Sequence, residues 1–291
     1  MSRHRQWSLW LLPLTFYLGI GSSPCRAAGL SEIVQRATAA LHADWASDPL
    51  YACIERDEVQ KGDKLNSKSF EVVMIDGSDY HLLLAVDDQP LPPDRQRAEL
   101  IKLKKEVERR KNESPSARRA RIDAWKKKRD ENGELLLDFP TALTFQLVGE
   151  ETRSGHSAYV LAANPKPGVV PSTRAAKVLA GMQGKAWVEK GTLHPMLVEC
   201  TVVTPVPVYG ALASVLPGTQ IEIKMTPVSD SVWLIDEVSM RLNVSKLHMF
   251  KSTTVTRSTY TKYRPNSSVL EELLSKAGQE EMASEVSPAF R

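Results

Sequence analysis

The chain has 291 residues, a formal charge of +3, 42% hydrophobic and 25% charged residues, a composition that excludes disordered, collagen-like and fibrous chains. The charge is uneven. Residues 94–132 hold about +7 by count and residues 1–28 about +3, so the remainder is acidic by about −7.

Residues 1–28 fall into three parts: a basic start at Arg3, His4 and Arg5, an apolar run "WSLWLLPLTFYLGI", and a small-residue stretch ending "PCRAAG". This is the layout of a signal peptide. The apolar run is about 14 residues, against the ~20 of a membrane-spanning helix, and Pro13 interrupts it. Cleavage after Ala27 or Ala28 is favoured over retention. Lipidation of Cys25 is disfavoured, because Ser22 stands where a lipobox wants a large aliphatic residue and Pro24 where it wants a small one. The expected product is an exported chain of about 264 residues, periplasmic or in the cell envelope, large enough for a sizeable core. Export leaves Cys53 and Cys200. They could pair in an oxidising compartment or remain two separately buried thiols.

The stretch "LSEIVQRATAALHADWA" puts Ile33, Ala37, Leu41 and Trp45 on one helical face, with Ser31 as N-cap. Strand-like runs follow: "YACIERDEV", then "KSFEVVMI", where Phe70, Val72 and Met74 alternate with Glu71, Val73 and Ile75. "DGSD" turns the chain into "YHLLLAV". Pro92 and Pro93 stop this meander, and Asp94 can cap a helix carrying a narrow Leu100/Leu103/Val107 stripe. Ser114 and Pro115 restart a second helix, which Asn132 and Gly133 should end. Ile122 and Trp125 are expected to meet Leu103 and Val107, making residues 94–132 a helical hairpin inserted in a sheet.

That second helix contains "RRARIDAWKKKR", with a basic set of Arg118, Arg119, Arg121, Lys126, Lys127, Lys128 and Arg129. It could lie on an anionic membrane surface, meet an acidic protein, or face water as a solvated helix. Export makes nucleic acid the least favoured partner.

Strands resume at "LTFQLVGEE" and "SAYVLAANPKPG", and a short helix "STRAAKVLAGM" follows. Further strands are expected at "GKAWVEKG", "HPMLVECTVVTPV", "TQIEIKMTPV", "SVWLIDEVSMRLNVSKL" and "MFKSTTVTRSTYTKYR". The last is rich in Thr and Ser on both faces, as an exposed edge strand would be. Residues 276–291 are expected to be a tail of frayed helix and coil. The whole predicts a mainly β, α+β fold over residues 29–275: a curved antiparallel sheet or open half-barrel, helices on its concave side, and the basic hairpin inserted.

The succession "TFQLVGEE", "GHSAYVLAANPKPG", short helix, "GKAWVEK", "HPMLVEC", "SVWLIDEVSMRLN", over roughly residues 143–245, resembles the outer membrane lipoprotein-sorting superfamily, the LolA/LolB-like proteins. Trp187-Val188-Glu189 takes the place of that family's Trp strand and Trp233 that of a later Trp. The hairpin insert and Leu234, where the family often has Pro, are departures. The resemblance implies an unclosed barrel with helices in its mouth and an apolar cavity able to take acyl chains. It also implies a lipoprotein carrier, or a periplasmic sensor that grips lipid-bearing or peptide ligands.

No metal-ligand spacing, nucleophile elbow or phosphate loop is present, so the expectation is a non-enzymatic protein with no catalytic residue, no metal and no cofactor. The candidate apolar lining is Phe70, Met74, Leu84, Phe145, Leu147, Met196, Val198, Ile223, Trp233, Met240 and Leu242. A lipid or lipoprotein ligand would sit there. The rival expectation is a scaffold protein in which the same residues form a filled core and the basic hairpin does the binding.

Overall fold

The computed structural model describes residues 29–168, 174–208, 212–247 and 249–286. The expected signal peptide with Cys25, the first residues of the helix expected at 172–182, and His248 lie outside them. In chain order the elements are α1 (Leu30–Ser47), a 3-10 turn (Asp48–Leu50), β1 (Tyr51–Lys61), β2 (Lys64–Ile75), β3 (Ser78–Val86), β4 (Gln89–Pro90), α2 (Pro93–Lys111) and α3 (Pro115–Ala142). Then come β5 (Leu143–Arg153), β6 (His156–Pro165), α4 (Arg174–Leu179), β7 (Met182–Glu189), β8 (Pro195–Val202), β9 (Val206–Pro207) and β10 (Ala213–Val215). The chain closes with β11 (Gln220–Ser229), β12 (Val232–Lys246), β13 (Phe250–Pro265) and α5 (Asn266–Val286).

The strands form one open antiparallel sheet in the order β4-β3-β2-β1-β13-β12-β11-β8-β7-β6-β5, with β10 on β12 and β9 on β10. Two successive meanders are joined by β13, which pairs with β1 on one side and β12 on the other. The expectation of an exposed edge strand there is corrected. Its polar faces have another cause: Ser258 and Tyr260 line a cavity on the inner side, and Arg257 faces outward, 52% exposed at its side chain.

Both faces of the sheet carry helices, because β2 is apolar on both. Phe70, Val72 and Met74 face inward. Val73 and Ile75 face outward into a second core with Ala52, Leu82, Leu103, Val107, Val269 and Leu273. The inner core is larger and joins Ile33, Ala37 and Leu41 of α1, Leu136 and Phe139 of α3, and the inward residues of β6, β7, β8 and β11. Helix α1 starts at Leu30 with Gly29 as N-cap and no side-chain cap, not with Ser31. Its buried stripe ends at Asp44, one residue before the expected Trp45.

The expected helical hairpin does not form as a hairpin. Helix α2 packs outside on α5 and β3, whereas α3 crosses the sheet edge and packs inside on α1 and α4. Leu103 and Val107 therefore meet the sheet and α5, not Ile122 and Trp125. Ser114 does cap α3, accepting from the Ala117 N–H at 3.3 Å. The helix runs past Asn132-Gly133 to Ala142, with Pro140 inside it. Gly133 serves close approach, not termination: a Cβ there would stand 2.6 Å from Cζ2 of Trp45.

The crossing is held by arginines gripping the β2–β3 turn. Arg110, only 5% exposed, donates to the carbonyls of Ile75 at 2.8 Å, Ser78 at 2.9 Å and Asp79 at 3.0 Å, and to Ser78 Oγ at 2.9 Å. From the other helix Arg121 donates to Ser78 Oγ at 2.7 Å and to the Asp76 carbonyl at 3.3 Å, and pairs with Glu113. Glu106 holds Arg110 in place at 2.6 Å. Hydrogen bonds from Arg109 and then Arg110 keep the Glu106 carboxyl down at about 2, against an ordinary 4.5. A depressed acid adds stability that is full above its unfolded value and is lost as pH falls towards the folded one. Between pH 4.5 and 2 the stability difference between the native chain and Glu106→Gln should therefore shrink. Paired chemical denaturation at several pH values measures it, and a pH-independent difference would contradict the assignment.

The C-terminal segment also differs from expectation. Residues 276–286 continue α5, whose Val269, Leu273 and Ala277, spaced one turn apart, are buried.

Candidate ligand cavity

Between α1, α3 and the inner face of β1, β2, β11, β12 and β13 lies a cavity of about 710 Å³. Its floor is apolar: Phe70, Val72 and Met74 from β2, Ile221, Ile223 and Met225 from β11, Val238 and Met240 from β12. Leu41 and Trp45 of α1 and Trp125 and Leu136 of α3 form the opposing wall. The methionines give this surface an adaptable, polarizable lining.

One end is polar. Glu55, Asp57, Asp79, His81, Ser258, Tyr260 and Tyr263 all reach the cavity. A register break between β1 and β13, with Lys262 at φ 55°, lets both Tyr260 and Tyr263 face inward although they are three residues apart. His81 lies 3.1 Å from Asp79 and 3.5 Å from Glu55. The hydrogen bond to Asp79 raises the His81 pKa. Burial, then the neighbouring Asp57, raises that of Glu55. Ser258 donates to Asp57 at 2.5 Å and Tyr263 to the Ile235 carbonyl at 2.6 Å. Burial pushes both tyrosines far above their ordinary range, so they remain neutral hydrogen-bonding groups.

Beneath the wall, Asp44 ties three elements together. It is 1% exposed; its Oδ1 accepts the Trp233 N–H at 3.0 Å and lies 3.5 Å from His194 Nε2. The His194 ring stacks on Trp233 and His156 meets the same indole edge-on. Sequence reading missed Asp44, although its place in the 33-37-41-44 spacing was the available signal.

Five predicted lining residues, Phe70, Met74, Ile223, Trp233 and Met240, stand on this cavity. The others do not. Val198 borders only a minor gap near Leu136 and Phe139, and Met196 is packed in the inner core. Phe145 and Leu242 are half-buried against that core, Phe145 with its ring 5.8 Å from Phe139. Two placements are corrections. Leu84 packs outward on the second core, in phase with Tyr80 and Leu82, because Asp79 and His81 of the same strand take the inner face. Leu147 is 46% exposed, beside another register break between Leu147 and Gly149.

The cysteines do not pair. Cys53, on the cavity wall, and Cys200, in the inner core, are both buried free thiols. Burial raises both, Cys200 to about 12, so neither offers a thiolate at neutral pH.

The basic set is partly consumed. Arg121 is tied to Glu113 and the β2–β3 turn, and Arg118 lies 3.7 Å from Asp76. Arg129 stacks 4.0 Å over Trp45 and bonds the Trp45 carbonyl and Asp48. Arg119, Lys126, Lys127 and Lys128 remain exposed. Lys127 is 4.0 Å from Glu131, and Lys128 stands at the cavity.

Among the described residues no helix is long and apolar enough to cross a membrane. No family model matches the chain, and no curated protein matches it. Solved structures do. A LolA superfamily protein from Nitrosomonas europaea is 10% identical, with 82% of this chain and 94% of that one covered and a TM-score of 0.34. A protein described as an outer membrane lipoprotein-sorting domain, from Vibrio parahaemolyticus, is 12% identical, covering 81% and 99%, TM-score 0.33. A DUF1329 family protein from Desulfovibrio piger is 12% identical, covering 79% and 93%, TM-score 0.29. The chain is thus distantly similar to LolA superfamily structures.

Proposed function

We propose that the chain is an exported, non-catalytic cell-envelope protein that holds an apolar or lipid-modified ligand, in the manner of a lipoprotein-sorting protein. One observation carries this reading: the cavity of about 710 Å³ with an apolar floor. Protein interiors pack to near-crystalline density and leave few voids larger than a water molecule. A space of this size falls within the range of ligand sites. Each methylene buried in it contributes about 0.8 kcal/mol, so an acyl segment of about ten methylenes contributes about 8 kcal/mol before ordering costs. The polar end suits a headgroup or backbone amide that hydrogen-bonds to Tyr260, Ser258 or a carboxylate. The cavity also weighs against the filled-core scaffold, as does the loss of Arg121 and Arg129 from the basic surface.

The chain purified from native membranes should carry lipid detectable by native mass spectrometry. Met240→Trp, which fills the floor, should weaken binding of a dansylated fatty acid by at least tenfold with the circular dichroism unchanged. A protein that is consistently empty and binds the probe no worse after Met240→Trp would defeat this reading.

A further inference from the structure

The β12–β13 hairpin outreaches its neighbours. Pairing with β1 stops at Lys61↔Thr254, and pairing with β11 begins only at Gln220↔Arg241, so the last residues of the hairpin project beyond both. Among the described residues the short β10, with β9 on its far side, accompanies β12 outward as far as Ala213↔Lys246. At the tip Leu247, Met249 and Phe250 are 53%, 75% and 63% exposed. Leu212, whose carbonyl accepts the Leu247 N–H at 2.9 Å, is 63% exposed beside them. Leu247 adopts φ 50°, a conformation costing an L-residue about 1 kcal/mol and normally given to Gly or Asn. Turn tips are ordinarily polar, so three large apolar side chains on one turn with a fourth beside them call for a nonaqueous contact.

The charge around them has one sign. Neither residues 200–219 nor residues 238–270 contain an Asp or Glu. Exposed Lys246 and Lys251 flank the tip, and exposed Lys61 and Lys64 border the β1–β2 turn behind it, where Asp63 is the sole carboxylate. Four side chains fall well short of the roughly 800 Å² per partner of a stable protein interface. A lipid surface imposes no such requirement: apolar tips enter the interfacial region while lysine stems reach headgroup phosphates.

We propose that this tip docks the protein on an anionic phospholipid surface, with Leu212, Leu247, Met249 and Phe250 entering the interface and Lys246 and Lys251 on headgroup phosphates. The contact does not depend on what the cavity holds, and it differs from the surface of α3 to which the basic sequence first pointed.

Flotation of the full chain lacking the signal segment tests it, using vesicles of phosphatidylcholine alone and of equal parts phosphatidylcholine and phosphatidylglycerol. The native chain should float with the anionic vesicles and much less with the neutral ones. Lys246→Gln/Lys251→Gln should reduce partitioning about thirtyfold, from about 1 kcal/mol per lysine. Leu247→Ser/Met249→Ser/Phe250→Ser should reduce it at least tenfold, with an unchanged melting temperature showing that the fold is intact. Absence of flotation by the native chain, or equal flotation of the triple variant, would overturn the proposal. So would sedimentation velocity showing a dimer that the triple variant loses while no vesicle binding occurs, since the tip would then face a second copy.

Discussion

Arg110→Met should lower the melting temperature by about 10 °C, the largest effect of any single side-chain exchange in α2. The substitution removes four hydrogen bonds to the β2–β3 turn and the partner of Glu106. Methionine can refill the volume but cannot satisfy the carbonyls of Ile75 and Ser78, and uncoupling a buried charged group costs about 3–5 kcal/mol. At this chain length each kcal/mol moves the midpoint by about 2–4 °C. Arg109→Met is the control, because Arg109 is exposed and bonds only Glu106 and Glu113. Equal shifts in the two variants, measured by differential scanning calorimetry, would show that the buried grip is not what matters.

Gly184→Ala should be comparably damaging for an unrelated reason. Gly184 lies in β7 directly opposite Cys200 of β8. A Cβ there would stand 2.0 Å from the Glu199 carbonyl oxygen and 2.6 Å from Cys200 Sγ. The backbone oxygen cannot rotate away as a side chain could, so relief requires the two strands to separate in the middle of the inner core. The cost is about 3 kcal/mol, at the upper end for overpacking. The denaturant midpoint should fall correspondingly. Gly155→Ala, at a turn where a Cβ meets nothing within 4 Å but φ is +82°, should cost less. A Gly184→Ala protein as stable as the native one would mean that β7 and β8 lie farther apart than described.

Much of the fold could be read from residue order. The alternation of Phe70, Val72 and Met74 located an inner face, and Met196, Val198 and Cys200 another, because period-2 burial leaves its trace whatever the strand order. What could not be read were features that depend on distant contacts. Val73 and Ile75 carried the signal of a second buried face, but only the docking of α2 and α5 gives it meaning. Gly133 looks like a helix stop in isolation and proves to be the point where Trp45 presses on a helix. The register break at Lys262 leaves no mark in hydropathy, yet it brings Tyr263 to the cavity. The polar end of the cavity was hidden for the same reason. Glu55 and Asp57 of β1 and Asp79 of β3 come to one cavity only through strand pairing.

The central place of β13 also bears on how the molecule is made. Tyr51 pairs with Pro265, more than two hundred residues later, so β1 and β12 both keep an unpaired edge until nearly the whole chain is available. Contacts so far apart close slowly, and open edges invite pairing with other chains in the meantime. A chain with this topology gains little from folding its first meander early. The last strand acts as the slide of a zipper between two otherwise local halves.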